Sequence, residues 1–150
     1  MTDTLTKAER SLRMRKVRQR DTSLELLVRS ELHRRGLRYC LGGCDLPGRP
    51  DMVLPGRKAV VFVHGCFWHA HDCRLGRRPS SNAEFWEQKA LSNGHRDAQK
   101  EGQLRALGWT VHVVWQCEFS DRSNRSEFFD RLAQSIRLSK GSSINSKVLP

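Results

Sequence analysis

Residues 60–73, VVFVHGCFWHAHDC, constrain this chain more than any other stretch. The segment opens as an apolar run suited to a sheet strand. It then packs three histidines, two cysteines and an adjacent Phe-Trp pair into its last ten residues. A strand that empties into so many metal-capable groups must be held at its end by a partner. GWTVHVVWQC at 108–117 supplies one, since it too runs from a strand pattern into a cysteine, Cys117. If the strands at 58–64 and 109–115 are parallel neighbours, Cys66, His71 and Cys73 (C-x4-H-x-C) meet Cys117 at one C-terminal sheet edge. Three thiolates and one imidazole make a closed tetrahedral set, the arrangement of a structural zinc site with no open position for chemistry. Cys40 and Cys44 have no such partners and read as free cysteines. A total of five in a chain without a secretion signal argues against a disulfide framework.

The 150 residues are enough for one domain. No apolar run approaches a membrane span, and the N-terminus lacks the apolar core of a signal peptide, so a cytoplasmic setting is expected. Lys+Arg 27 against Asp+Glu 16 gives a net charge of +11, which favours a polyanionic partner, nucleic acid above all.

Residues 6–19 read as a basic helix with arginines at 10, 13, 15 and 18. A second helix follows, capped by Asp21 or Thr22 and stopped at Gly36. DMVL and KAVVFVHG, split by Pro55-Gly56, read as a hairpin. A long third helix is expected from a capping box at Ser81-Asn82-Ala83-Glu84 to about Leu107 before Gly108. Lying between the strands near 60 and 112, it is long enough for a right-handed parallel crossover. A last amphipathic helix spans 126–139. The resulting class is α/β, a mixed sheet flanked by helices. The division is a basic arm at 1–20, one domain at 21–139, and a polar disordered tail at 140–150.

A second, harder metal site is suggested by Pro50-Asp51 before the hairpin and Phe62-Val63-His64 after it. Residues two apart on a strand share a face, so Phe62 and His64 lie on one side near Asp51. An oxygen ligand such as Asp51 selects Mg²⁺ over zinc, and such ions serve phosphodiester hydrolysis. Glu25 is a further carboxylate within reach. Metal-dependent nucleases commonly place a carboxylate and a lysine where Phe62 and His64 stand here, so a base must come from elsewhere. His69 could supply it, oriented by Asp97. Taken singly, Asp51 could be a turn cap, His64 a strand-end polar residue and Asp97 solvated helix surface.

LPGRPD (46–51), VFVHGCFWHAHDC (61–73), EFW (84–86), RD (96–97) and GWTVHVVWQCE (108–118) together resemble the very-short-patch repair (Vsr) mismatch endonucleases, in order and spacing, across positions 8–118. The resemblance implies a restriction-endonuclease-like fold. It also implies a Mg²⁺-dependent cut 5′ to the mispaired T of a T:G mismatch, the product of 5-methylcytosine deamination, leaving 3′-hydroxyl and 5′-phosphate ends. It implies Asp51 and the Val63 backbone carbonyl as Mg²⁺ ligands and His69 as general base, with His64, Glu25 and Asp97 in support. Cys66, His71, Cys73 and Cys117 match the structural Zn²⁺ ligands. Exposed Phe67, Trp68 and Trp86 resemble a wedge that enters the base stack from the major groove, with Met14 inserted from the minor groove and Lys89 and Asn93 at base-contacting positions. The implied setting is a monomer on double-stranded DNA in the bacterial nucleoid, with mismatch-repair proteins as further partners.

Three positions depart from the family pattern: Val63 for threonine, Ala70 for histidine and Gln116 for glutamate. They leave the proposed chemistry intact and bear on flanking-base preference. Two alternatives stand beside the mismatch nickase: a nuclease of the same fold with another mismatch or sequence preference, and a zinc-stabilised DNA-binding module without activity.

Overall fold

The computed structural model describes residues 4–17, 20–42 and 45–139. The expected tail at 140–150, Cys44, and Arg18 with Gln19 at the end of the first expected helix lie outside them. In chain order the elements are α1 (Lys7–Lys16), α2 (Ser23–Arg34), β1 (Met52–Leu54), β2 (Ala59–His64), α3 (Ala83–Ala106), β3 (Thr110–Trp115), α4 (Gln116–Ser120) and α5 (Arg125–Leu138). No helix among the described residues is long and apolar enough to cross a membrane.

Local chemistry sets most of the boundaries. Thr6 caps α1 in a reciprocal box with Glu9, each satisfying a backbone N–H of the other. Of the two candidate caps for α2, Thr22 takes the place, accepting from the Glu25 N–H. Asp21 stands just before it in the left-handed region at φ 52°. The expected box at the start of α3 does not form. Asn82 is the N-cap at φ 55° without a side-chain cap bond, so the helix starts at Ala83 and Glu84 falls one position too early for the box. Between β1 and β2 the chain makes a 3₁₀ turn, Pro55–Arg57, closed by left-handed Lys58. Helix α4 was not expected. It follows β3 without a gap and begins where the Trp115 N–H donates to the Glu118 carboxylate at 2.8 Å.

The sheet order is β1-β2-β3, with β1 antiparallel to β2 and β3 parallel to it. The parallel register pairs Ala59 with Thr110 and His64 with Trp115, as the crossover through α3 requires. Cys40 extends the β1 edge through two backbone bonds with Val53.

Alternation along the strands then builds a three-layer core. On one face Met52, Leu54, Val61 and Val114 pack with Val28 and Leu32 of α2 and with Phe129, Ala133 and Ile136 of α5. On the other, Val53, Val60 and Phe62 pack with Leu104 of α3. Arg35 ties the first layer together, bonding Glu31 at its own helix end and Asp130 of α5. Gly48, at φ 75°, is tight against Lys100 of α3 and the Phe62 ring, where a larger residue would push the Asp51 loop off the sheet.

Phe129 is fully buried against Phe119 and Phe128, so Phe129→Ala should cost ~3–5 kcal/mol in urea unfolding. Leu138→Ala, on the same helix but 71% exposed, should change it by no more than about 0.5 kcal/mol.

Candidate functional site

The C-terminal ends of β2 and β3 carry two clusters of opposite chemical character. In the first, the ligand atoms of Cys66, His71, Cys73 and Cys117 all lie within 4.8 Å of one another. Cys66 comes from the turn after β2, His71 and Cys73 from the loop beyond, and Cys117 from the first turn of α4, whose N–H points at the Cys66 sulfur at 3.4 Å. Three sulfurs and one imidazole nitrogen suit a soft or borderline cation in tetrahedral coordination. Burial pushes the Cys66 thiol up to about 12 and the Cys117 thiol upward as well. The hydrogen bond from His71 leads those that bring Cys73 down to about 7. A divalent ion at the centre would favour the thiolate at every position. Cys40 is exposed and lies outside this group.

Gly76 holds the loop in shape, a role that spacing alone did not reveal. It sits where the chain returns over the loop, and a Cβ there would drive into the backbone carbonyl of His71. Any side chain must displace a ligand residue. Its signal in the sequence was weak, a single glycine three residues after Cys73.

The second cluster lies on the α3 face of the sheet. His69 Nδ1 and Asp97 Oδ2 are 2.6 Å apart, which fixes the ring by a charge-assisted bond and leaves Nε2 free to face a reactant. The His64 ring lies parallel to that of His69, at 1° and 3.9 Å between centroids. His64, Asp97 and His69 are close enough to hold a metal. Stacked parallel rings, however, do not converge their lone pairs on one point, and one nitrogen already serves Asp97. The geometry suits proton handling better. Burial, and after it the neighbouring His69, lowers His64 to about 4, so it is neutral at physiological pH. Burial would raise Asp97, but the bond to His69 and the nearby imidazoles overcome this and hold it below the usual carboxylate range.

Asp51 stands just before β1 and accepts the Val63 N–H at 2.7 Å, which locks it against the end of β2. Burial pushes it up to about 6, the Val63 bond opposes this, and the Glu25 charge adds to the rise. The Glu25 carboxylate that acts on Asp51 is itself occupied. It takes bonds from the Asp21 N–H, the Thr22 hydroxyl and Arg29. Arg29 also pairs with Asp21.

Trp115 separates the two clusters. Its ring stacks on His71 at 4.2 Å and meets His64 edge-on at 5.1 Å. The parallel register opposite His64 was the signal for it.

The aromatic group needs correction. Phe67 and Trp68 are half-buried, and Trp86, expected to be exposed, is only 7% so. Trp86 lies on the inward face of α3, beneath Phe67 at 5.2 Å and Trp68 at 6.5 Å, while its neighbour Phe85 is exposed. Asn93 does not present a free amide. Its nitrogen donates to the Trp68 carbonyl at 2.7 Å and its oxygen accepts from Arg96, so it braces the loop. The Lys89 ammonium lies over the Phe85 ring. Met14 is half-buried on α1, which touches the same region through Arg10 over Phe85.

Gly76→Ala should weaken the four-ligand cluster without unfolding the core. Co²⁺ titration, followed through the thiolate-to-metal absorption bands, should show a lower affinity, while the far-ultraviolet circular dichroism stays that of the unsubstituted chain.

Comparison with known proteins bears on the whole arrangement. The family model of the DNA mismatch endonuclease Vsr matches residues 2–75. The type II nicking enzyme V.XorIIP of Xanthomonas oryzae is 51% identical over 121 residues, covering 81% of this chain and 89% of that protein. The type II nicking enzyme V.NmeAIP of Neisseria meningitidis is 41% identical over 137 residues, covering 91% and 98%. The DNA mismatch endonuclease Vsr of Escherichia coli is 40% identical over 127 residues, covering 85% and 81%. With this extent of match and with both clusters in place, the chain belongs to the Vsr family.

Proposed function

We propose that this protein nicks one strand of double-stranded DNA 5′ to the mispaired T of a T:G mismatch, by Mg²⁺-dependent hydrolysis on a restriction-endonuclease-like fold. The observation that carries this reading is the His69–Asp97 pair, stacked on a neutral His64 at the same sheet edge as Asp51. Membership of a family named for mismatch endonucleases supports it.

Asp51 and the Val63 backbone carbonyl would hold Mg²⁺, which when bound supplies charge stabilisation at the scissile phosphate. The chain's own residues handle the proton. His69 Nε2 takes it from the attacking water, and Asp97 stabilises the imidazolium that forms. His64 gives that cation a neutral, flat neighbour. Water adds to phosphorus as the bond to the 3′-oxygen breaks, and the departing 3′-oxygen takes a proton from solvent, leaving 3′-hydroxyl and 5′-phosphate ends. Glu25 supports the centre from α2. Zn²⁺ on Cys66, His71, Cys73 and Cys117 is structural and stiffens the loop that presents the aromatics.

Phe67 and Trp68 form the edge that enters the base stack, with Trp86 as their support, and Met14 approaches from the other groove. Opening a step costs a few kcal/mol and least where pairing is faulty, so the mismatch itself favours insertion. Lys89 serves recognition beside them. The basic arm at 1–20 tracks the phosphates, and the protein acts as a cytoplasmic monomer that hands its nick to mismatch-repair proteins.

Labelled duplexes carrying T:G, other mismatches or none, incubated with Mg²⁺, test the reading. Cutting should be confined to the T strand of T:G, and equal cutting of matched duplex would overturn it. His69→Ala should slow the cut by about 10²–10⁴-fold, and Asp51→Ala should abolish it while DNA binding persists. Retained activity without Asp51 would instead leave the metal role unfilled.

The raised pKa of Asp51 gives a pH prediction. The folded chain holds this proton more tightly than the unfolded one. The associated stability is complete below about 3.8 and lost as pH rises through about 6. Mg²⁺ competes with that same proton, so the Mg²⁺ concentration for half-maximal cutting should rise about tenfold per pH unit below 6 and level off above it.

A further inference from the structure

Two hollows in the surface meet at one cation on the loop beyond the thiol cluster. The larger is a cleft of about 470 Å³ between that loop and α3, with His69, Ala70, Arg78 and Gly94 among its walls. The smaller is a recess against Phe67, Trp68 and Trp86, and Arg78 lines it as well. Arg78 therefore stands where the cleft that contains the candidate base joins the recess under the aromatics. Its Nη1 donates to Glu87 Oε2 on α3 at 2.7 Å, and the Glu87 side chain is 61% exposed. A guanidinium has five donors in a planar fork, so this bond orients the side chain without exhausting it. An ion pair this exposed adds little to stability, which makes bracing the loop a weak reason for it. The cleft walls, meanwhile, lack bulk. Ala70 brings only a methyl group, and a Cβ at Gly94 would meet nothing within 4 Å. The backbone of another molecule can come close there.

We propose that Arg78 binds a phosphate of the scissile strand, between the step opened by Phe67 and Trp68 and the phosphate addressed by His69, and that Glu87 holds the guanidinium ready until that phosphate displaces it. The proposal rests on the reading of those aromatics as the wedge and of His69 as the base. Trp68 and His69 are consecutive residues that line the recess and the cleft respectively. A strand engaged by both must run from one hollow to the other, past Arg78. Carboxylate and phosphate offer an arginine fork the same kind of paired oxygens, so Glu87 keeps the side chain in the form DNA needs. Exchange of Glu87 for a phosphate then preserves a charge-assisted bond and releases counterions from the duplex.

Binding of the full chain, loaded with Zn²⁺ and without Mg²⁺ so that no strand is cut, to a labelled T:G duplex over a series of salt concentrations tests this by fluorescence anisotropy. Arg78→Gln should weaken binding about tenfold and lower the slope of log affinity against log salt by about 0.9, the loss of one phosphate contact. Arg131→Gln, exposed on α5 against the opposite sheet face, should change neither. Glu87→Gln should tighten binding about threefold by removing the competing carboxylate, and that gain should vanish in the Arg78→Gln background. If the pair were only a brace between loop and helix, both single variants would bind more weakly, and that outcome overturns the proposal. Duplexes with one uncharged methylphosphonate at a time along the scissile strand locate the contact. One position beside the cut, toward the opened step, should cost the unsubstituted chain about tenfold and cost Arg78→Gln nothing further. Equal losses for the two proteins at every position overturn the proposal alone. No loss at any position, with matched and mismatched duplexes bound alike, overturns the wedge-and-base reading and this proposal with it.

Discussion

The parallel ladder between β2 and β3 brings the thiol cluster and the histidine cluster to one sheet edge. Its register sets His64 opposite Trp115, so the next residues of both strands leave the sheet at the same edge. Cys66 and Cys117 are then two and two residues beyond a matched pair, and they meet because neither strand ends early. The same ladder fixes the crossover. Helix α3 must return along the sheet to deliver β3, and in doing so it lays Asp97 over His69 and Trp86 under Phe67. A slip of one residue would turn His64 away from α3 and part the sulfurs together. Burial of Val60 and Val61 on opposite faces of β2 makes that slip costly.

Two clusters of different hardness can share one edge because the chain alternates their members and walls them apart. Between 64 and 73 members of the two clusters interleave: His64, Cys66, then Phe67 and Trp68, then His69, then His71 and Cys73. Trp115 fills the space between, one side against His71 and an edge toward His64. The soft set is crowded and closed, and the hard set offers oxygen at Asp51 and an open ring nitrogen at His69. A thiol-seeking ion therefore has no reason to settle at Asp51, nor a hard ion among three sulfurs.

What the sequence disclosed and what it hid follow from the range of the interactions. The hairpin, the parallel crossover and the C-x4-H-x-C set with Cys117 were legible because each depends on periodicity or on adjacency to a strand end. The pairing of His69 with Asp97 was legible because an imidazole and a carboxylate are scarce on that edge. The start of α3 was misread because a box spacing says nothing about the backbone angle of Asn82, which is left-handed. Trp86 was misread because EFW offers two aromatics to one helix turn, and which one faces inward depends on where the sheet lies. Phe85 took the exposed side and Trp86 the buried one. Gly76 escaped notice because its significance is tertiary: it lies under a carbonyl brought back by the loop.

The buried position of Trp86 strengthens the proposed wedge. Aromatic side chains that enter a base stack must push against a step that resists by a few kcal/mol. A pair hanging free on a loop would yield first, since ordering it on contact would consume the stacking energy it gains. Phe67 and Trp68 are instead backed by a buried indole, tied at the Trp68 carbonyl by Asn93, and rooted at both ends in residues of the thiol cluster. Their order is set before DNA arrives. The same loop carries His69 directly after Trp68, so on the proposed reading the aromatics that would enter the stack and the imidazole that would face the phosphate are held by one braced segment.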